Sequence, residues 1–236
     1  MSAVISCKKA EDRTCFKFTG DPSEKEILLE SFQSLDLGPH IRYELVQDTV
    51  EKVVLSGGEN LLNLIRVEVV DNKLLIRNEN KCNFLRSYKK EVKVTIHLVN
   101  IFTLYYSGSK EISCLNQLNL GYLQLIMLDG AGKCNMNVNC SYLNTVVSNS
   151  WGNFELHGQT NYLRMNVKAN GFGSAYDLNV IDSLTVISES SGLVKVNAEG
   201  ALMRAETSSN GDIWYIGTPS YIEYNQYGTG ALVDKN

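Results

Sequence analysis

From about residue 107 onward, apolar and polar positions alternate in short bursts, and the bursts recur. Within one of them, Leu163, Met165, Val167 and Ala169 share one face while Arg164, Asn166 and Lys168 take the other. Glycines punctuate the pattern at 108, 132, 152, 173, 192, 211 and 230, with gaps of 24, 20, 21, 19, 19 and 19. A second burst in each unit opens at Leu123, Leu143, Leu163, Leu184, Met203 and near Ile222. A fixed period near twenty with two short strands per unit predicts a solenoid. No such unit buries its apolar face alone, so each stacks on the next, with coils about 4.8 Å apart and six of them forming a rod of about 25–30 Å. The chain must turn at the same place in every coil. Glycine is expected there for its positive-φ conformations, helped by the Ser and Asn residues clustered just before it. Stacking also pairs outward side chains. Lys168 and Glu189 each follow the leading Leu of their strand by five residues, which predicts a surface ion pair between adjacent coils.

The segment before residue 107 reads as β-structure with one short helix. Tyr43 and Leu45 follow Ile41 in strict alternation, and Val92, Val94, Ile96 and Leu98 oppose Lys93, Thr95 and His97. Phe32 and the Leu35–Leu37 pair fall out of phase, which predicts a bend. Leu61, Leu62, Leu64 and Ile65, just after Gly57-Gly58, recur at helical spacing. Two β-branched runs meet at Asp71-Asn72 as a hairpin.

Composition narrows the function classes. Hydrophobic residues make up 44 % and charged residues 20 %, so the chain can build a sizeable core. The net charge of -4 carries no basic cluster, which argues against nucleic acid. No apolar run approaches the length of a membrane helix. The six cysteines, at 7, 15, 82, 114, 134 and 140, include no CxxC pair, so zinc and thioredoxin-like chemistry find no support. They read as small buried residues, with a Cys134–Cys140 disulfide as the other reading of that spacing. Near the start, Val4-Ile5-Ser6-Cys7 matches the bacterial lipobox pattern, which makes Cys7 the lipidation candidate. Only six residues precede it, fewer than a signal peptide's basic start and apolar stretch require.

Candidate chemistry is sparse. Polysaccharide cleavage needs carboxylates converging on one bond. The outward Glu155, Asp177, Glu189, Glu206 and Glu223 fall at different strand positions, and His40, His97 and His157 have no Ser or Cys partner motif. No catalytic residue is assigned. No EF-hand, HExxH or calcium nonapeptide array is present, so no metal and no cofactor is expected. Tyr122, Tyr142 and Tyr162 are twenty apart, each just before the leading Leu of a second strand, and are expected to stack into a ladder. They are the candidate binding residues; plain packing on a solenoid edge is the competing account. Trp151, Phe172 and Trp214 fall near the corner turns.

The stretches Phe32–Gln47, Val53–Asn78 and Lys89–Ile112, running into the glycine-phased coils, resemble the GIN-domain family, named for an auto-transporter adhesin head. The order of elements carries the resemblance, over about residues 27–236. Departures are minor. The turn reads Gly38-Pro39-His40-Ile41, Asn72 stands where glycine is usual in the hairpin, and the coil start Leu104-Tyr105-Tyr106-Ser107-Gly108-Ser109-Lys110 lacks the last glycine. The resemblance implies an all-β, right-handed β-helix exported to the cell envelope, often as a lipoprotein. The expected organisation is a tether over 1–26, a β-rich part over 27–106 that is open to continuing the same solenoid, and coils over 107–236. The expected role is non-enzymatic, envelope binding of an adhesin type. A carbohydrate-active enzyme on the same scaffold, or a structural or signalling envelope protein, are the alternatives. Expected partners are a glycan or a cell-surface protein, with no nucleic acid and no membrane contact beyond a lipid anchor; oligomerisation is left open.

Overall fold

A computed structural model describes residues 19–80, 91–149 and 152–236. In chain order these residues form β1 (Pro22–Leu28), β2 (Ser34–Leu37), β3 (Arg42–Gln47), β4 (Lys52–Gly58), α1 (Glu59–Leu62), β5 (Ile65–Val70), β6 (Lys73–Asn78), β7 (Lys93–Leu98), β8 (Thr103–Tyr106) and β9 (Ile112–Cys114). The coils follow as β10 (Leu118–Leu128), β11 (Lys133–Ser148), β12 (Asn153–Ala169), β13 (Phe172–Ser190), β14 (Val194–Asn197), β15 (Leu202–Thr207), β16 (Ile213–Ile216), β17 (Tyr221–Gln226) and β18 (Leu232–Asp234). The result is a β-solenoid of about six turns with coils of about twenty residues, joined to a curled, mixed N-terminal sheet.

The register follows the period. Leu123, Leu143, Leu163, Leu184, Met203 and Ile222 are successive partners in one parallel ladder. The first five are buried and fill the interior, while Ile222, in the last rung, is exposed. Burying each such side chain stabilises by roughly 1.5–3 kcal/mol. In β10 to β13 the two bursts of a coil merge into one long strand that bends at the corner, whereas β14/β15 and β16/β17 remain separate. Lys168 and Glu189 are register partners, and Nζ lies 2.8 Å from Oε1, as the sequence predicts.

The glycine expectation is corrected in its cause. Gly108, Gly132, Gly173, Gly192, Gly211 and Gly230 do not have positive φ. They are needed for close approach. A Cβ at Gly211 would overlap the Gly192 carbonyl oxygen and lie 2.5 Å from that of Ser190. A Cβ at Gly230 would in turn overlap the carbonyl oxygen of Gly211. The left-handed corner is taken instead by Asp129, Asn149 and Ala169, one coil apart, with φ of 52°, 49° and 60°.

At the N-terminal end the order in space departs from the order in sequence. β2 lies between β6 and β8, and β3 between β7 and β9, all parallel, so the first coil of the chain is wedged between two later ones. β4 adds antiparallel to β7, β1 to β4, and β5 to β6. The Asp71-Asn72 hairpin forms as predicted, both residues having positive φ (50° and 59°). Helical geometry ends after Leu62, and Ile65 opens β5 instead. Tyr43 and Tyr106 pack edge to face inside, 6.3 Å apart. Their hydroxyls donate to the carbonyl oxygens of Gly38 and Lys110, and burial pushes both phenols well above their ordinary pKa.

Candidate functional site

One corner of the solenoid carries the three tyrosines. Because β10, β11 and β12 stack in register, Tyr122 partners Tyr142 and Tyr142 partners Tyr162. The first two rings stack at 5.6 Å between centroids with a 23° tilt, and the second and third at 6.3 Å with 33°. The predicted ladder therefore exists. Its geometry changes what it offers. The rings cover one another's faces, so the middle of the stack presents ring edges and hydroxyls. Tyr122 and Tyr162 are 37 % and 44 % exposed.

Beside the tyrosines runs a second track that the sequence reading missed. Asn119, Asn139, Gln159 and Asn179 are successive register partners on the outward face. Asn139 donates to Asn119 Oδ1 at 3.0 Å, and Asn179 reaches Gln159 Oε1 at 3.5 Å. Gln47 anchors the first rung: its Oε1 accepts from the Asn119 backbone N–H at 2.7 Å, and its Nε2 donates to the Asn119 carbonyl at 2.9 Å. The signal was present in the sequence, since these residues are also twenty apart. A neighbouring outward column holds Asn137, His157 and Asp177, with His157 Nδ1 3.5 Å from Asp177 Oδ2.

The other corner aromatics behave differently. Phe172 is exposed at the start of β13. Trp214 is flanked by ammonium groups, with Lys235 Nζ 4.2 Å and Lys195 Nζ 5.8 Å from its ring centre. Trp151 and the lipidation candidate Cys7 lie outside the described residues.

The ionisable groups show where charge is organised. Register confirms that no two of the five outward carboxylates face each other. Glu155 meets Asn135 and Ser174, Asp177 meets His157, Glu189 meets Lys168, Glu206 meets Ile187 and Asn225, and Glu223 meets Arg204. Where a carboxyl pKa is shifted among the described residues, it is shifted downward. Hydrogen bonds from Lys110 first, and from Arg42, hold Glu91 below its usual range; the His97 side chain does the same for Asp48, and the Asn236 backbone for Asp234. A general acid needs the opposite shift. Cys114, Cys134 and Cys140 are free thiols, so the Cys134–Cys140 disulfide does not form. Burial pushes all three up, Cys114 to about 11, which disfavours the reactive thiolate. Among the described residues no group of three or more His, Cys, Asp or Glu gathers to hold a metal ion.

Comparison with known proteins follows the same lines. The family described as "Putative auto-transporter adhesin, head GIN domain" matches residues 31–219. No curated protein matches the chain. Among solved structures, a putative adhesin from Bacteroides fragilis superposes with a TM-score of 0.80 at 21 % identity, over 91 % of this chain and 97 % of the other. A putative adhesin from Parabacteroides distasonis gives 0.68 at 17 % identity, over 92 % and 98 %. A putative lipid binding protein from the same organism gives 0.65 at 19 % identity, over 92 % and 98 %. At these identities the structural likeness speaks for the fold, while the match over 31–219 covers most of the sequence: the chain belongs to the GIN-domain family of adhesin-type heads.

Proposed function

We propose that this chain is a non-enzymatic binding protein of the cell envelope, which holds a polyhydroxylated surface ligand along the edge formed by Tyr122, Tyr142 and Tyr162. The observation that carries this reading is the pairing of two tracks on one rigid corner. Three stacked phenols run parallel to four side-chain amides, all repeating at the coil spacing. Phenol hydroxyls and amides donate and accept hydrogen bonds without carrying charge. That chemistry suits the hydroxyl groups of a neutral glycan better than a phosphate or a strongly charged peptide. Rigid strands hold such groups in place at little entropic cost on binding. The adhesin description of the family agrees with a display role.

The test is an array of glycans and envelope polysaccharides, probed with the wild type beside the Tyr122→Ala/Tyr142→Ala/Tyr162→Ala variant. The expected result is binding that the triple variant loses while its far-ultraviolet circular dichroism is unchanged. Equal binding by both proteins, or none by the wild type, would overturn the reading. The proposed tether is Cys7. Cys7→Ser is expected to move the protein from membrane to soluble fractions, and an unchanged distribution would rule the anchor out.

A further inference from the structure

The tyrosine stack stops abruptly. Tyr162 is covered on one side by Tyr142, but its register partner in the next coil is Ser183. A fourth ring is missing where the period would place one. The register also slips between Thr160 and Tyr162. Thr160 partners Val180 and Tyr162 partners Ser183, so Ile181 and Asp182 together stand opposite Asn161. Such a bulge bends the strand and re-aims its side chains. Both residues of the bulge are exposed, Ile181 to 46 %. The amide contact beside it, from Asn179 to Gln159 Oε1, is long at 3.5 Å, against 3.0 Å at Asn119–Asn139. Gln159 is three residues from Tyr162, within about 10 Å along the strand.

We infer that the face of Tyr162 turned toward Ser183 is a stacking subsite for one pyranose ring of a neutral glycan, seated in the place of the missing fourth tyrosine. The inference rests on the binding role proposed above and narrows it to one end of the ladder. A pyranose has a flat face of C–H groups and a rim of hydroxyls. Tyr162 and Ile181 offer apolar surface to the face. The Asp182 carboxylate, the Gln159 NH2 and the Asn179 carbonyl oxygen offer acceptors and a donor to the rim and to the adjoining sugar. An aromatic peptide side chain would use the ring face and leave those polar groups without partners. The opposite end is less suited. The preceding coil brings Phe102 to the corner, its carbonyl oxygen accepting from the Gln124 backbone N–H, and Tyr122 is the less exposed of the two terminal rings.

The discriminating variant is Ser183→Tyr, which completes the stack and closes the step without removing any tyrosine. Binding of glucose, galactose, mannose and N-acetylglucosamine tetrasaccharides to the full chain would be measured by calorimetry. Saturation-transfer NMR would identify the sugar protons in contact. Binding of at least one tetrasaccharide is expected, with transfer strongest to ring C–H protons and affinity reduced about tenfold in Ser183→Tyr. Ser183→Leu, a smaller block, is expected to act in the same direction and serves if the tyrosine variant fails to fold. If both folded variants bind within twofold of wild type while the triple alanine variant does not bind, the subsite is wrong and the ladder reading stands. If wild type binds array polysaccharides but none of the tetrasaccharides, the subsite is likewise overturned. Absence of any binding on the array defeats both.

Discussion

At the scale of single residues, the fold depends on what side chains leave out as much as on what they supply. Gly211 sits where the backbone of one coil passes over Gly192 and Ser190 of the one before. Neither backbone atom can give way without breaking the ladder. Gly211→Ala is therefore expected to destabilise by about 2–4 kcal/mol, as overpacking against fixed backbone does. Gly121 is the contrast: a Cβ there meets nothing within 4 Å, and its φ is not positive. Gly121→Ala is expected to stabilise by about 0.4–1 kcal/mol by restricting the unfolded chain. Urea denaturation of the two variants measures both signs, and like signs would contradict this account. Titratable groups act at the same scale. Glu91 is held below its ordinary pKa of 4.5, chiefly by the Lys110 hydrogen bond and then by Arg42. A carboxyl lowered on folding adds stability that is fully present above its unfolded pKa and lost as pH falls through the folded one. Melting temperature is expected to be level from pH 7 to 5 and to drop below about 4.5. In Glu91→Gln the drop should be shallower; an equal slope would mean that other carboxyls dominate.

At the scale of elements, the period near twenty carries most of the information. The Lys168–Glu189 pair shows how far it reaches: counting from two leucines places an ammonium and a carboxylate 2.8 Å apart. Both side chains are about two-fifths exposed. A double-mutant cycle on them is expected to give a coupling of about 0–1 kcal/mol, smaller still in high salt. A coupling well above that would mean the pair is more shielded than its exposure implies. The tyrosine ladder was legible for the same reason, since equal spacing in a parallel stack brings equal positions together. The amide track was equally regular, but Asn and Gln abound in turns and do not draw notice singly. The bulge at Ile181-Asp182 was visible only as one extra residue between the leading Leu163 and Leu184, which are 21 apart rather than twenty. Counting cannot say on which side of a corner an extra residue falls, or that it ends an aromatic stack. The cause of the glycine phasing was also out of reach. Sequence separates neither positive φ from close approach, nor Gly211 from Ala169, which takes the left-handed corner despite its Cβ.

At the scale of the whole molecule, the two ends are built on different principles. Toward the C-terminus each coil pairs only with its neighbours in sequence, β15 with β17 and β16 with β18, so losing these two strands removes one interface. At the N-terminus, β2 and β3 are wedged between coils formed much later in the chain. Arg42 bonds Glu111 across a separation of 69 residues, and Tyr43 pairs with both Val94 and Ile112. Nothing in the alternation of residues 27–106 announces this order, because each strand's pattern is satisfied by any parallel neighbour with a matching face. The consequence is an asymmetry in tolerance. A chain ending at Ile216 loses β17 and β18 and bares Met203 and Ile213 at the new end. It is expected to keep a cooperative thermal transition at a lowered midpoint. A chain lacking residues 19–48 loses the wedge, so β6 and β7 no longer have β8 and β9 within reach through it, and Leu35, Leu37, Tyr43 and Leu45 vanish from the centre of the core. That variant is expected to show no cooperative transition in calorimetry and no near-ultraviolet circular dichroism. If it instead melts as sharply as the C-terminal truncation, the coils close up over the gap. In that case the first coil is an accessory to the rod rather than the piece that joins its two parts.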